Sequence, residues 1–313
     1  MVEAEERFVD LPDVRLYTRI AGEGEPLLVL HGGPALSHEY LFPGLSPLAD
    51  TARVVFFDQR GCGRSSKPRD GRYDMAALTA DIEGLRRALR LGRVNVLGFS
   101  FGGMLAQEYA LRYPNSVRRL IIAGAGPSGA DINRRLLEVK AMASPRVRGV
   151  VDRIEAAAPF TGDAYPPEYA AAVDEAYRPF SFHRLPGPPP EVAGALGKIS
   201  FDVYKVLWGD RGEFRVTGIL RDWDRLEDLP RIAVPTLILI GRYDLTSVDT
   251  AREMGRRIPT SRVVVFEESG HFMYLEEPET FLSEVCAFLR GPAPGPSRPR
   301  RARRPRYRRS GTP

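Results

Sequence analysis

The sequence predicts an α/β fold: a mostly parallel sheet covered on both faces, with a mostly helical cap inserted before the last strands. Three observations carry this. Short apolar runs that stop at glycine alternate with segments of helical periodicity over the first 125 residues. That rhythm breaks between about 126 and 230, where aromatics crowd together without clean alternation. It then resumes after Pro235. A chain of 313 residues is long enough for one large core plus such an excursion. The expected organisation is a core in two parts, 1–125 and 231–290, a helical cap over 126–230, and a tail over 291–313.

Taken in order, VRLYTRI at 14–20 alternates as a half-buried strand does, and AGEGE turns the chain. LLVL (27–30), VVFFD (54–58), VNVLGF (94–99) and RLIIAG (119–124) are too short for buried helices, and glycine follows or ends each; they read as strands buried on both faces. Between them, residues 75–90 set Leu78, Ile82, Leu85 and Leu89 on one helical face. Residues 103–112 form a second helix, stopped by Pro114. The cap segment offers helix-like pieces at 131–143 and 166–177 and a stiff loop, LPGPPP, at 185–190. TLILIG (236–241), a helix near 249–257, VVVFE (263–267) and a helix near 278–290 complete the pattern.

Composition narrows the function. Segment 291–313 holds eight Arg, six Pro and no acid, so the net charge of +5 belongs to it and residues 1–290 carry about −3. It lacks the apolar area to offset its ordering entropy and is expected to be disordered. Its charge could touch an acidic surface, but the body shows no basic stripe, so no nucleic-acid role is expected. Two cysteines exclude a disulfide scaffold. MVEAEERFVD is not a leader peptide, and no run approaches a membrane span, so a cytoplasmic protein is expected. Neither Cys62 nor Cys286 lies in a nucleophile or metal pattern, and no nucleotide loop is present; no cofactor or metal is expected.

The chemistry gathers at Gly98-Phe99-Ser100-Phe101-Gly102, a G-x-S-x-G with a strand before it and a helix after it. That context makes Ser100 a candidate nucleophile on a strained turn, with small neighbours where a Cβ would clash. Serine needs a base. Of four histidines, His31 lies in a Gly/Pro loop, and His38 and His183 lie in loop or cap contexts. Only His271 follows a late strand, where it could reach a central nucleophile. The orienting acid is Asp244, at the end of 236–241, with Asp249 as the alternative five residues on. The oxyanion donors would be the backbone N–H groups of Phe101 and of the His31-Gly32-Gly33-Pro34 loop, with Gly33 preferred; His31 would then organise that loop. The order Ser100, Asp244, His271 is that of the α/β-hydrolases.

HGGPA (31–35), DQRGCGRS (58–65) and GFSFGGMLAQEYA (98–110) together resemble the proline iminopeptidase family of α/β-hydrolase serine peptidases. GDRGEFRVTGILRDWD (209–224) is similar to the stretch leading out of the cap in its archaeal, tricorn-associated members. The resemblance covers about 8–290. It implies an α/β-hydrolase fold and a serine aminopeptidase that releases an N-terminal residue, preferably proline, from short peptides through an acyl-enzyme. Relatives also cleave amino-acid amides or simple esters, so an amidase, esterase or lactonase is the alternative. By resemblance Glu213 would receive the substrate's amino terminus. A second acid usually follows the triad aspartate in the family, and here that position is Leu245. Family members also often carry Trp or Tyr where Phe101 stands, and Gly where Ala35 stands.

Overall fold

The computed structural model describes residues 2–291; the Arg/Pro-rich segment 292–313, expected to be disordered, lies outside the described residues. Eight strands form one sheet: β1 (Glu5–Asp10), β2 (Arg15–Ala21), β3 (Pro26–Leu30), β4 (Arg53–Phe57), β5 (Val94–Phe99), β6 (Val117–Ala123), β7 (Thr236–Gly241) and β8 (Ser261–Phe266). Their order is β1-β2-β4-β3-β5-β6-β7-β8. β1 and β2 run antiparallel, and β2 also meets β4 antiparallel; every other neighbour is parallel. The helices are α1 (Phe42–Leu45), α2 (Met75–Ala88), α3 (Phe101–Arg112), α4 (Gly129–Met142), α5 (Pro145–Glu155), α6 (Pro167–Ser181), α7 (Pro190–Leu196), α8 (Phe201–Leu207), α9 (Val248–Arg257), α10 (Met273–Glu276) and α11 (Pro278–Arg290).

Strand parity builds the two cores. Leu28, Leu30, Val55, Val96, Ile122 and Ile238 point to one face and pack with α2, α3 and α9. Their neighbours Leu27, Val29, Val54, Leu97, Ile121 and Leu237 point to the other and pack with α1 and α11. Both faces are buried, so the central strands are continuously apolar rather than alternating. Local chemistry starts the helices: Asp74 accepts from Ala77 N and caps α2, while Ser128, Ser144 and Ser247 do the same for α4, α5 and α9.

Helices α4 to α8 lie between β6 and β7, and the first of them is preceded by the turn that leaves β6. A third apolar cluster joins Val139, Val147, Val151, Tyr169, Val173 and Phe214, so this insertion has a core of its own. β1 was not foreseen. Only Val9 of its residues is buried, so it carries no apolar run; it exists by pairing with β2, with Phe8 edge-on to Tyr17 and Arg15 over the Phe8 ring. Among the described residues no helix is long and apolar enough to cross a membrane.

Candidate active site

The turn from β5 into α3 holds Ser100 at φ +57° and ψ −125°, a region that L-residues avoid. A Cβ on Gly98 would collide with Gly102 O, and one on Gly102 with Leu30 O, so the two small residues let the turn close. Ser100 N is held by Ala123 O of β6 at 2.8 Å. The side chain is thereby fixed at the mouth of α3, whose first backbone N–H groups, Phe101 among them, have no acceptor inside the helix.

His271 follows β8. Its Nδ1 is 2.8 Å from Oδ1 of Asp244, which lies at the end of β7 and is buried. The same Oδ1 accepts from Thr246 N at 2.9 Å. With Nδ1–H donated to Asp244, Nε2 is the ring nitrogen left for chemistry. Asp249 stands apart on α9, 93% exposed and paired to Arg252. His183 stacks flat on Tyr243 at 3.5 Å.

The His31-Gly32-Gly33-Pro34 loop lies against Ser100, since a Cβ on Gly32 would sit 2.7 Å from Ser100 Cβ. Gly32 N donates to Tyr40 Oη at 2.7 Å, which leaves the next amide, Gly33, as the candidate donor from this loop. His31 is fully buried, accepts from Gln59 N at Nε2, and takes Gln59 Nε2–H on its carbonyl. Burial pushes its pKa down to about 4, so it stays neutral. The DQRGCGRS stretch is scaffold: Asp58 binds His38 Nδ1 at 2.8 Å and Arg64 N, and Arg60 forks onto Asp81 of α2. Cys62 is buried, and burial holds its thiol well above the usual range.

Ser100, His271, Gly33 and Phe101 line one cavity of about 500 Å³, roofed by the cap, and Leu245 and Glu213 line it too. Glu213 enters from the cap side. Tyr204 Oη donates to its Oε1 at 2.5 Å, its N–H donates to Tyr169 Oη, and its carbonyl accepts from Tyr177 Oη and Trp208 Nε1. Burial among these rings raises its pKa to about 7, against the lowering effect of the Tyr204 bond. Gly212 beside it is obligatory: φ is +108°, and a Cβ would lie 2.5 Å from both Glu155 Oε1 and Tyr169 Oη. The tyrosines were visible in the sequence as aromatic density, but not as partners of Glu213. Among the described residues no group of three or more His, Cys, Asp or Glu could hold a metal ion.

A serine on a strained elbow, a histidine–aspartate pair and one shared cavity define a serine hydrolase, and residues 25–278 match the α/β-hydrolase-fold family. The proline iminopeptidase of Saccharolobus solfataricus is 35% identical over 286 residues, covering 88% of this chain and 87% of that one. Two crystal structures superpose closely: the Mycobacterium smegmatis proline iminopeptidase (TM-score 0.79) and VinJ (TM-score 0.82). Each is 30% identical and covers 91% of this chain, with 97% and 98% of the respective neighbours. The chain belongs to the proline iminopeptidase family.

Proposed function

We propose that this enzyme releases an N-terminal residue, preferably proline, from short peptides or amides. Ser100 Oγ attacks the carbonyl as His271 Nε2 takes its proton; Asp244 keeps the imidazole in the right tautomer. The N–H groups of Phe101 and Gly33 receive the oxyanion. The intermediate collapses to an acyl-enzyme, and His271 gives its proton to the departing amine. Water then attacks the ester, again losing its proton to His271; the second intermediate breaks its bond to Ser100 Oγ, which takes that proton back from His271, and the free amino acid leaves. No cofactor or metal enters any step.

The observation that carries the exopeptidase reading is Glu213, a carboxylate held in an aromatic box within the cavity that also holds Ser100. It would pair with the substrate's ammonium, and the Tyr and Trp rings favour a cation and a pyrrolidine ring alike. Leu245 supports a second reading, an amidase or esterase, because it offers no second carboxylate. Proline, alanine and leucine arylamides, N-blocked versions and short-chain aryl esters separate the two. Selective cleavage of unblocked arylamides, proline first, is expected. Equal turnover of N-blocked amides or esters would replace the aminopeptidase by the second reading.

A further inference from the structure

Helix α6 lines the cavity with Tyr177, Arg178 and Ser181, and Phe182 follows at its end. A helix leaves its last carbonyls without intrahelical donors. Here they are taken by the histidine loop: Phe180 O accepts from His271 N at 2.7 Å, and Ser181 O from Phe272 N at 3.2 Å. The approach is close enough to demand glycine at 270, where a Cβ would lie 2.5 Å from Phe180 O. Phe182 then stacks on Phe272, 4.7 Å apart and 9° from parallel.

Glu276, at the end of α10, completes this seam from beneath. It is buried, and its Oε2 accepts from Gly270 N at 2.6 Å. Its Oε1 accepts from Arg184 N at 2.5 Å and Leu185 N at 3.0 Å. Three backbone donors from two segments converge on one side chain. An ionised carboxylate suits this, because it only accepts and offers about four lone-pair sites. A glutamine would turn an NH₂ toward one of the two segments.

We propose that Glu276 is a positioning residue for His271: its carboxylate clamps the histidine loop to the cap segment that follows α6, at 184–185, so that where α6 sits over the cavity sets where the base sits. The proposal rests on His271 being the base. It gives the cap a part in catalysis as well as in enclosure, since the helix that lines the cavity is hydrogen-bonded to the histidine loop.

The test uses the full chain with Glu276→Gln and Glu276→Asp. For each, kcat and KM on a prolyl arylamide are measured beside the rate at which a neutral organophosphonate labels Ser100. Rates are expressed per folded enzyme, with the folded fraction taken from circular dichroism well below Tm. A displacement of the base near 1 Å costs up to about 100-fold. Glu276→Gln is expected to lower kcat and the labelling rate together by roughly 10- to 100-fold, with KM within about two-fold; Glu276→Asp, which keeps the charge, should fall between. Wild-type kcat and labelling in Glu276→Gln, or a loss that follows only the unfolded fraction, would overturn the proposal. If Glu276→Gln does not fold, Glu276→Asp decides by the same two rates. Failure of the wild-type enzyme to be labelled at Ser100 would instead overturn the triad reading itself, and the proposal with it.

Discussion

Glu213→Gln separates substrate recognition from chemistry. A charge-assisted pair between this carboxylate and a substrate ammonium contributes about 1.5–3 kcal/mol, so the variant should lose roughly 10- to 150-fold in kcat/KM on a prolyl arylamide. A neutral aryl ester has no ammonium and should lose little. pH gives a second handle, because burial raises the Glu213 pKa from 4.5 to about 7. Recognition needs the ionised form, so it is present above about pH 7 and lost as pH falls through that value. His271 must also be unprotonated, but for both substrates. The ratio of kcat/KM on arylamide to that on ester therefore isolates Glu213. It should decline as pH falls below 7 in the wild type and stay flat in Glu213→Gln. Stability runs the other way. A raised carboxyl pKa stabilises the fold fully below pH 4.5, and that contribution is lost as pH rises through 7, to a ceiling of about 3 kcal/mol. Glu213→Gln should thus gain Tm relative to wild type between pH 5 and pH 8. Equal losses on arylamide and ester, or a pH-independent ratio in the wild type, would refute the assignment.

The other expectations are shorter. Ser100→Ala should abolish turnover with Tm near wild type, since alanine fits the elbow; residual near-normal turnover would remove Ser100 from the mechanism. Asp244→Asn should lower kcat by about 10⁴-fold through the wrong imidazole tautomer, whereas Asp249→Asn, exposed on α9, should leave steady-state kinetics unchanged. Leu245→Glu should raise the preference for unblocked over N-blocked arylamides only about 2- to 10-fold, because the Arg135 guanidinium, 3.1 Å from Leu245 O, partly neutralises the new carboxylate; a lowered preference would show that the site is too far from the ammonium. Gly102→Ala, which drives a Cβ into Leu30 O, should lower stability by at least about 2 kcal/mol in urea titration, and an unchanged midpoint would contradict the tight elbow.

The sheet was legible because its signals are local. Leu27–Leu30 and Val94–Phe99 are buried throughout, apolar at every position but Asn95 and Gly98, with glycine within two residues of each run's end, which is what burial under two helical layers favours. The elbow was legible for the same reason: the glycines that let it close stand two residues either side of Ser100. β1 was not, since its pairing with β2, not its own composition, makes it a strand. The short cap helices α7 and α8 were also missed: seven residues each is too short for a periodic face to declare itself.

The contacts to which we assign selectivity and the placing of the base share that illegibility, for a physical reason. Tyr169 and Tyr177 reach Glu213 across 44 and 36 residues, and Glu276 reaches Arg184 across 92. Nothing in a tyrosine's immediate sequence distinguishes one that packs in a cap core from one that frames a carboxylate. Tyr169 does both, buried in the cap cluster while bonding Glu155 and Glu213 N. Ser100 and His271, the proposed nucleophile and base, sit at strand ends, where a short turn sets their geometry; Glu213 and its tyrosines, the proposed recognition groups, sit between helices, where packing sets it. A variant of the cap core should therefore change which substrates are cleaved before it changes whether bonds are cleaved. Tyr169→Phe tests this directly. It removes the acceptor for Glu213 N and the donor to Glu155 while keeping the ring. Leaving those groups unsatisfied costs about 1–3 kcal/mol, and kcat/KM on a prolyl arylamide should fall roughly 5- to 100-fold while ester hydrolysis holds within about two-fold. A matching loss on both substrates would mean that cap and base are too tightly joined for selectivity to vary alone.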